Sequence, residues 1–177
     1  MKKDMGGAAI AMGLGYLVMS QGLPIRLRML IPAAENAVAG NAFRPGDVLH
    51  THKGLTVEID NTDAEGRLLL CDALSMASSE KPELIVDYAT LTGAARGAVG
   101  AEIGALFSND DALAQELMQL GRAEDDAVWP MPLHDAYDYM IKSNIADLVN
   151  SAASPYAGAV TAALFLKRFI DDVPWVH

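Results

Sequence analysis

The chain has 177 residues, a formal net charge of −10, 51% hydrophobic residues and 20% charged residues. That length and hydrophobic share fit one domain with a sizeable core. The acidic balance argues against a nucleic-acid partner held by phosphate contacts, which needs a basic face. The single cysteine, Cys71, cannot form an internal disulfide and sits in an apolar run, the pattern of a buried structural thiol in a reducing compartment.

The first segment, MKKDMGGAAIAMGLGYLVMSQG, has the basic start and apolar run of a secretory signal. Asp4 puts a negative charge in the basic region, however, and no A-x-A-like cleavage site follows. Residues 5–19 are too short to span a bilayer, and Gly22 and Pro24 end the run. The segment predicts a buried helix over 5–21, whose Gly6, Gly7, Ala8, Ala9 and Ala11 allow close packing against a sheet. Ile25, Leu27, Met29 and Ile31 then alternate with Arg26, Arg28 and Leu30 and predict a strand over 24–32. Residues 33–47 carry turn residues and read as a loop. Residues 48–52 and 56–59, around the Lys53-Gly54 turn, predict a short hairpin. A helix over 65–79, a strand over 83–88, a tight connection at 89–93 and a strand over 104–108 follow. Leu113, Leu117 and Leu120 share one face of a helix over 110–122. Residues 133–150 read as mostly helical, 151–158 as a loop, 158–170 as a helix and 175–177 as the start of a strand. This alternation predicts an α/β domain with a mixed, largely parallel sheet and no internal boundary.

Residues 59–70, IDNTDAEGRLLL, bear two readings. Thr62-Asp63-Ala64-Glu65 matches the S/T-x-x-E capping box ahead of an apolar helix. Thr62 would then cap the helix, Glu65 would reach back to the Thr62 N–H, and both acids would offset the helix dipole. Alternatively, residues two apart in extended chain project to one side, so Asp63, Glu65 and Arg67 face a common space. Two converging carboxylates with no lysine between them invite a divalent cation. The loop also follows a strand, and ligands of α/β sheets bind beyond the carboxyl ends of strands. Thr90-Leu91-Thr92-Gly93 occupies a second strand-to-loop position, where an ordinary capping turn is the plainer reading. His50 and His52 lie two apart on the hairpin and are better explained as solvated residues than as a metal pair.

Asn61-Thr62-Asp63-Ala64-Glu65-Gly66-Arg67-Leu68 resembles the diagnostic octapeptide of the leucyl (cytosol) aminopeptidase family. Met1-Lys2-Lys3-Asp4-Met5-Gly6-Gly7, Ile31-Pro-Ala-Ala-Glu-Asn36, Gly40–Val48, Asp87–Gly93 and Ser143–Asp147 resemble other family segments in order and spacing. The resemblance runs from the first residue to the last. It implies part of a catalytic domain with a three-layer α/β/α sandwich and a mixed, largely parallel sheet.

It further implies a zinc- or manganese-dependent exopeptidase that releases N-terminal residues, often leucine, from peptides. Such proteins are typically hexameric and cytoplasmic and carry two divalent metal ions. Carried over by position, Asp4, Asp63 and Glu65 resemble metal ligands. Arg67 resembles the arginine that holds a bicarbonate ion acting as general base. Asn61, Thr90, Leu91 and Gly93 resemble residues around substrate and bicarbonate, with Met1 near the side-chain pocket. Three carboxylates leave two divalent ions short of neutralisation, so further ligands are needed. The family's K-G-x-T-F-D-S-G-G segment, which brings a lysine and an aspartate to the metals, has no counterpart ahead of Asp4. Residues 1–177 therefore read as a partial catalytic domain without the family's amino-terminal domain, inactive by itself. The alternative is a catalytically incomplete assembly or interaction module that keeps the fold. A nucleotide-binding domain is a weaker reading, because no G-x-G-x-x-G follows a strand.

Overall fold

The segment Gly158–Lys167, GAVTAALFLK, has no polar face, and a helix of that kind is stable only when covered on every side. In the computed structural model, which describes residues 4–177, it forms a helix with Ala159 through Leu166 all buried. We number the elements in chain order: α1 (Gly6–Ser20), β1 (Val48–His50), β2 (Thr56–Glu58), α2 (Gly66–Ser79), β3 (Ile85–Val86), α3 (Gly93–Val99), β4 (Gly104–Leu106), α4 (Asp111–Ala123), β5 (Val128–Pro130), β6 (Leu148–Val149), α5 (Gly158–Lys167) and β7 (Trp175–Val176). The α5 helix packs on α2, on α3 and on a 3₁₀ turn over Asp135–Ile141. Its Phe165, with Phe169, Trp175, Leu148 and Val57, forms the centre of the core.

Short strands, mostly parallel, carry this core. β1 and β2 form the expected hairpin, with Gly54 at a φ of 90° in its turn, a conformation that glycine adopts without strain. β2 also pairs in parallel with β6, Val57 opposite Leu148 and Glu58 opposite Val149. β3 runs parallel to β7, and β4 to β5. Reciprocal bonds between Phe107 and His177 (2.9 and 2.8 Å) and an antiparallel bridge of Ser108 to Val176 join these pairs in the order β3–β7–β4–β5. The α/β class with a mixed, mainly parallel sheet is thus as the sequence predicts.

Four local expectations need correction. Residues 24–32 belong to no strand, because an alternating pattern fixes the side-chain spacing and cannot supply a ladder partner. The helix over 5–21 forms as α1, yet only Gly7 and Gly15 are buried in it. Its Ile10, Tyr16, Leu17 and Met19 stay exposed, since it is packed on one side only. Residues 133–150 are not mostly helical. The Ser143 hydroxyl accepts from the N–H groups of Ile145 and Ala146, offering the backbone a turn instead of a helix. Asp147 then binds the N–H and hydroxyl of Thr56 and docks β6 onto β2. Residues 83–88 pair as a strand only at Ile85–Val86. Cys71 is buried as expected, and burial pushes its thiol pKa far up, so it is an inert core group.

Phe165→Ala empties the middle of this core. The expected loss of unfolding free energy is about 3–5 kcal/mol, measured by urea denaturation. A loss below about 1 kcal/mol would mean that α5 does not organise the core.

Candidate metal and anion site

Because β2 and β6 are parallel, both deliver their following loops to the same edge of the sheet. The loop after β2 is Ile59–Glu65. Asn150, directly after β6 and fully buried, holds it. The Asn150 Oδ1 accepts from the N–H groups of Asp60 (2.9 Å) and Asn61 (3.2 Å). Its Nδ2 donates to the carbonyls of Asn61 (2.7 Å) and Ala64 (3.4 Å). The Asn61 side chain accepts from the Asp63 N–H at 2.9 Å, closing an Asx turn, and Asn36 donates to the Thr62 carbonyl. The Ser151 hydroxyl donates to Asp60 at 2.7 Å.

With this loop pinned, α2 starts at Gly66 and not at Thr62. Glu65 stands at the cap position in helical conformation (φ −71°, ψ −31°), with no side-chain cap bond. The capping box read from the sequence is therefore not made. The Glu65 carboxylate is left free of helix duty, and its Oε2 is buried without a hydrogen-bond partner.

Arg67 follows two residues later and is only 8% exposed. Its guanidinium lies 5.8 Å from the centre of the Phe165 ring. Its Nε and Nη1 are buried without a partner. Burial pulls its pKa down from 12.5 to about 10, so it remains charged at neutral pH. An unsatisfied buried donor costs about 1–3 kcal/mol, more when charged, and native proteins keep few of them. A guanidinium with free N–H groups matches a planar anion with two adjacent oxygens.

The loop after β3 borders the same place. It begins at Asp87, which accepts from the Trp175 indole at 2.7 Å and lies 2.6 Å from the His177 Nδ1. It ends where the Thr92 hydroxyl caps α3 by accepting from the Ala95 N–H. A Cβ on Gly66 would stand 3.2 Å from the Leu91 side chain, so Leu91 lies against the start of α2. A Cβ on Gly6 would meet the Thr90 methyl at 2.9 Å, and one on Gly7 would collide with the Tyr88 carbonyl. The start of α1, with Asp4 just ahead of it, is therefore docked on the 88–90 stretch.

The structure thus sets Asn61, Asp63, Glu65 and Arg67 on one loop and helix start, with Leu91 against Gly66, Thr90 on the adjoining loop and Gly93 at the start of α3. Asp4 lies two residues before α1, whose Gly6 and Gly7 touch that second loop. Among the described residues no group of three or more His, Cys, Asp or Glu side chains is placed to hold a metal ion. Met1 lies outside the described residues. His50 and His52 form no such group either, and the His52 ring pairs with the Ser75 hydroxyl at 3.0 Å. Sequence reasoning missed Asn150 and Phe165. An asparagine after a short apolar run has no distinctive signature, and the residues each one serves lie far away in the chain. A cleft of about 440 Å³, lined by Glu58, Asp60, Tyr139, Ser143 and Ser151 among others, opens beside the loop.

The whole chain, residues 1–177, matches the catalytic domain of the cytosol aminopeptidase family. It is 51% identical over all 177 residues to a probable cytosol aminopeptidase of Burkholderia ambifaria, and 50% identical to one of Burkholderia pseudomallei. In both cases it spans 35% of the relative's length. Its structure superposes on the crystal structure of a cytosol aminopeptidase from Coxiella burnetii with a TM-score of 0.96 at 54% identity, covering 100% of this chain and 39% of that one. A tomato leucine aminopeptidase mutant, K354E, gives a TM-score of 0.93 at 40% identity, with 100% and 35% covered.

Arg67→Met keeps the long stem and removes the unpartnered charge. The expected result, in buffer free of bicarbonate, is a chain about 1–3 kcal/mol more stable than the parent by urea denaturation. If Arg67 holds bicarbonate, the expected outcome of adding it is a higher melting temperature for the parent and no change for the variant. A less stable variant would show that Arg67 already has its partners.

Proposed function

The chain belongs to the cytosol aminopeptidase family, as part of its catalytic domain, and on that premise we propose that it supplies the cation- and anion-holding face of a metal-dependent exopeptidase. The reaction is release of N-terminal residues, leucine above all, from peptides. One observation carries the reading: a buried guanidinium and a buried carboxylate oxygen, two residues apart where α2 begins, both lack partners. Such a pair suits an anion on Arg67 and a cation on Glu65.

Asp63 and Glu65, with Asp4 from the start of α1, would hold two divalent ions, and Arg67 would hold bicarbonate. When bound, a zinc or manganese pair supplies Lewis acidity at the scissile carbonyl, and bicarbonate supplies a proton acceptor. This chain's residues do the positioning. Arg67 keeps its charge in a site walled by Phe165, where weak solvation strengthens its hold on an anion. Asn61 fixes the turn that carries Asp63. Thr90, Leu91 and Gly93 would border the space taken by the N-terminal residue of a peptide. No helix among the described residues is long and apolar enough to cross a membrane; a cytoplasmic location is part of the proposal. A hexameric assembly and peptide substrates belong to the same proposal.

A second reading is an assembly module that keeps the fold without the chemistry. It is favoured by the lack, among the described residues, of a three-member acidic or histidine group.

Calorimetric titration of the 177-residue chain with Zn²⁺ or Mn²⁺, alongside hydrolysis of leucine amide, tests both. The expected result is weak cation binding that Glu65→Gln lowers about tenfold or more, without turnover. Two tightly bound ions with turnover would overturn the incomplete-site reading. A folded chain that binds no cation would leave the module.

A further inference from the structure

We propose that Asn150 is a positioning residue for the ligand-bearing loop, and that it works by holding residues 60–64 open against the capping box their own sequence encodes. The proposal rests on reading Asp63 and Glu65 as ligands.

The side chain of Asn150 is fully buried, and its whole hydrogen-bonding capacity goes to one loop. Two N–H groups, from Asp60 and Asn61, reach Oδ1. Two carbonyls, of Asn61 and Ala64, receive the Nδ2 protons. The Asn150 backbone N–H donates to the Glu58 carbonyl at 2.9 Å, which continues the β2–β6 pairing. The amide is thus fixed to the sheet at its root and to the loop at its tip. Aspartate could accept as it does but has no proton to give, and leucine of similar size can do neither.

The loop has a local alternative. Thr62-Asp63-Ala64-Glu65 is a capping box followed by an apolar helix, and such a box satisfies two orphan N–H groups of a helix start. If α2 adopted it, the helix would begin a turn earlier, and Glu65 would turn back to the Thr62 N–H. The observed chain does otherwise: α2 begins at Gly66, Glu65 caps nothing, and its Oε2 stays unpartnered. Two of the Asn150 bonds engage Asn61, just ahead of the segment that would have to coil, and Ala64, inside it. Asn150 therefore decides whether the Glu65 carboxylate is consumed by the helix or presented to a ligand.

The test compares the parent chain with Asn150→Leu, Asn150→Asp and the double variant Asn150→Leu/Thr62→Val. The readouts are backbone carbon shifts of residues 62–65 by NMR and Mn²⁺ affinity by calorimetry. In Asn150→Leu, shifts at 62–65 move to helical values and Mn²⁺ affinity falls about tenfold. Asn150→Asp keeps both acceptor bonds and loses only the two donor bonds, and it shows the same changes in smaller degree. Removing the capping hydroxyl in the double variant reverses the helical shift. A folded variant with unchanged shifts overturns the proposal, and so does a helical shift with unchanged Mn²⁺ affinity. If the shifts move but the parent itself binds no Mn²⁺, the loop control stands and the metal reading fails.

Discussion

The parallel pairing of β2 with β6 is the constraint on which the site depends. It brings Asn150 against a loop 90 positions earlier in the chain, close enough for its amide to bond Asp60 at 2.9 Å. Neither element would hold this arrangement alone. Two-residue β6 has too few ladder bonds to be stable by itself, and it is fixed by Asp147 against Thr56 and by Leu148 in the core. Beyond Ile59, which still bonds the backbone of Asp47 and Gly46, the loop has no ladder, so its backbone groups depend largely on side chains. Placement of Asp63 and Glu65 is therefore a consequence of sheet register transmitted through one buried amide.

The electrostatics of the site oppose those of the chain. The protein carries a net charge of −10, yet the most buried ionic group of the site is a cation, Arg67. Its burial is compensated only in part, by the face of Phe165. Leaving charge and donors unsatisfied in this way is destabilising, and it persists where a binding partner relieves it. On the adjoining loop Asp63 is exposed, whereas one carboxylate oxygen of Glu65 is buried as the guanidinium is. One place thus offers a dry positive fork and a carboxylate-bearing loop side by side.

The apolar surface is distributed unevenly. Around α5 the core is dense, with Phe165, Leu166 and Phe169 fully buried. Around α1 it is thin. Leu27 and Met29 meet that helix at Gly15, while Tyr16, Met19 and Ile25 are more than half exposed. The arginine at position 28 ties this stretch to α2 through Glu80 and Met76. The site is built between these two regions. Its rigid half rests on α5 and the β2–β6 pair, and its other half rests on glycine contacts of α1 with residues 88–90.

Local chemistry made much of this legible in the sequence. Apolar runs placed α1, α2 and α5, the spacing of leucines placed α4, and the Lys53-Gly54 turn placed the hairpin. The octapeptide Asn61–Leu68 pointed to the family and to the loop that carries its candidate ligands, because those residues are contiguous and need no fold to be recognised. What the sequence left open, the tertiary structure decided. The same four letters, Thr62 to Glu65, spell a helix cap and a ligand loop, and their local energies do not separate the two. The strand expected at 24–32 and the helix expected over 133–150 failed for the same reason, since a ladder partner and the docking of Asp147 on Thr56 come from distant parts of the chain. Periodicity reports what a segment does alone. Hydrogen bonds between residues far apart in sequence choose among the conformations that remain, and here a buried asparagine made that choice.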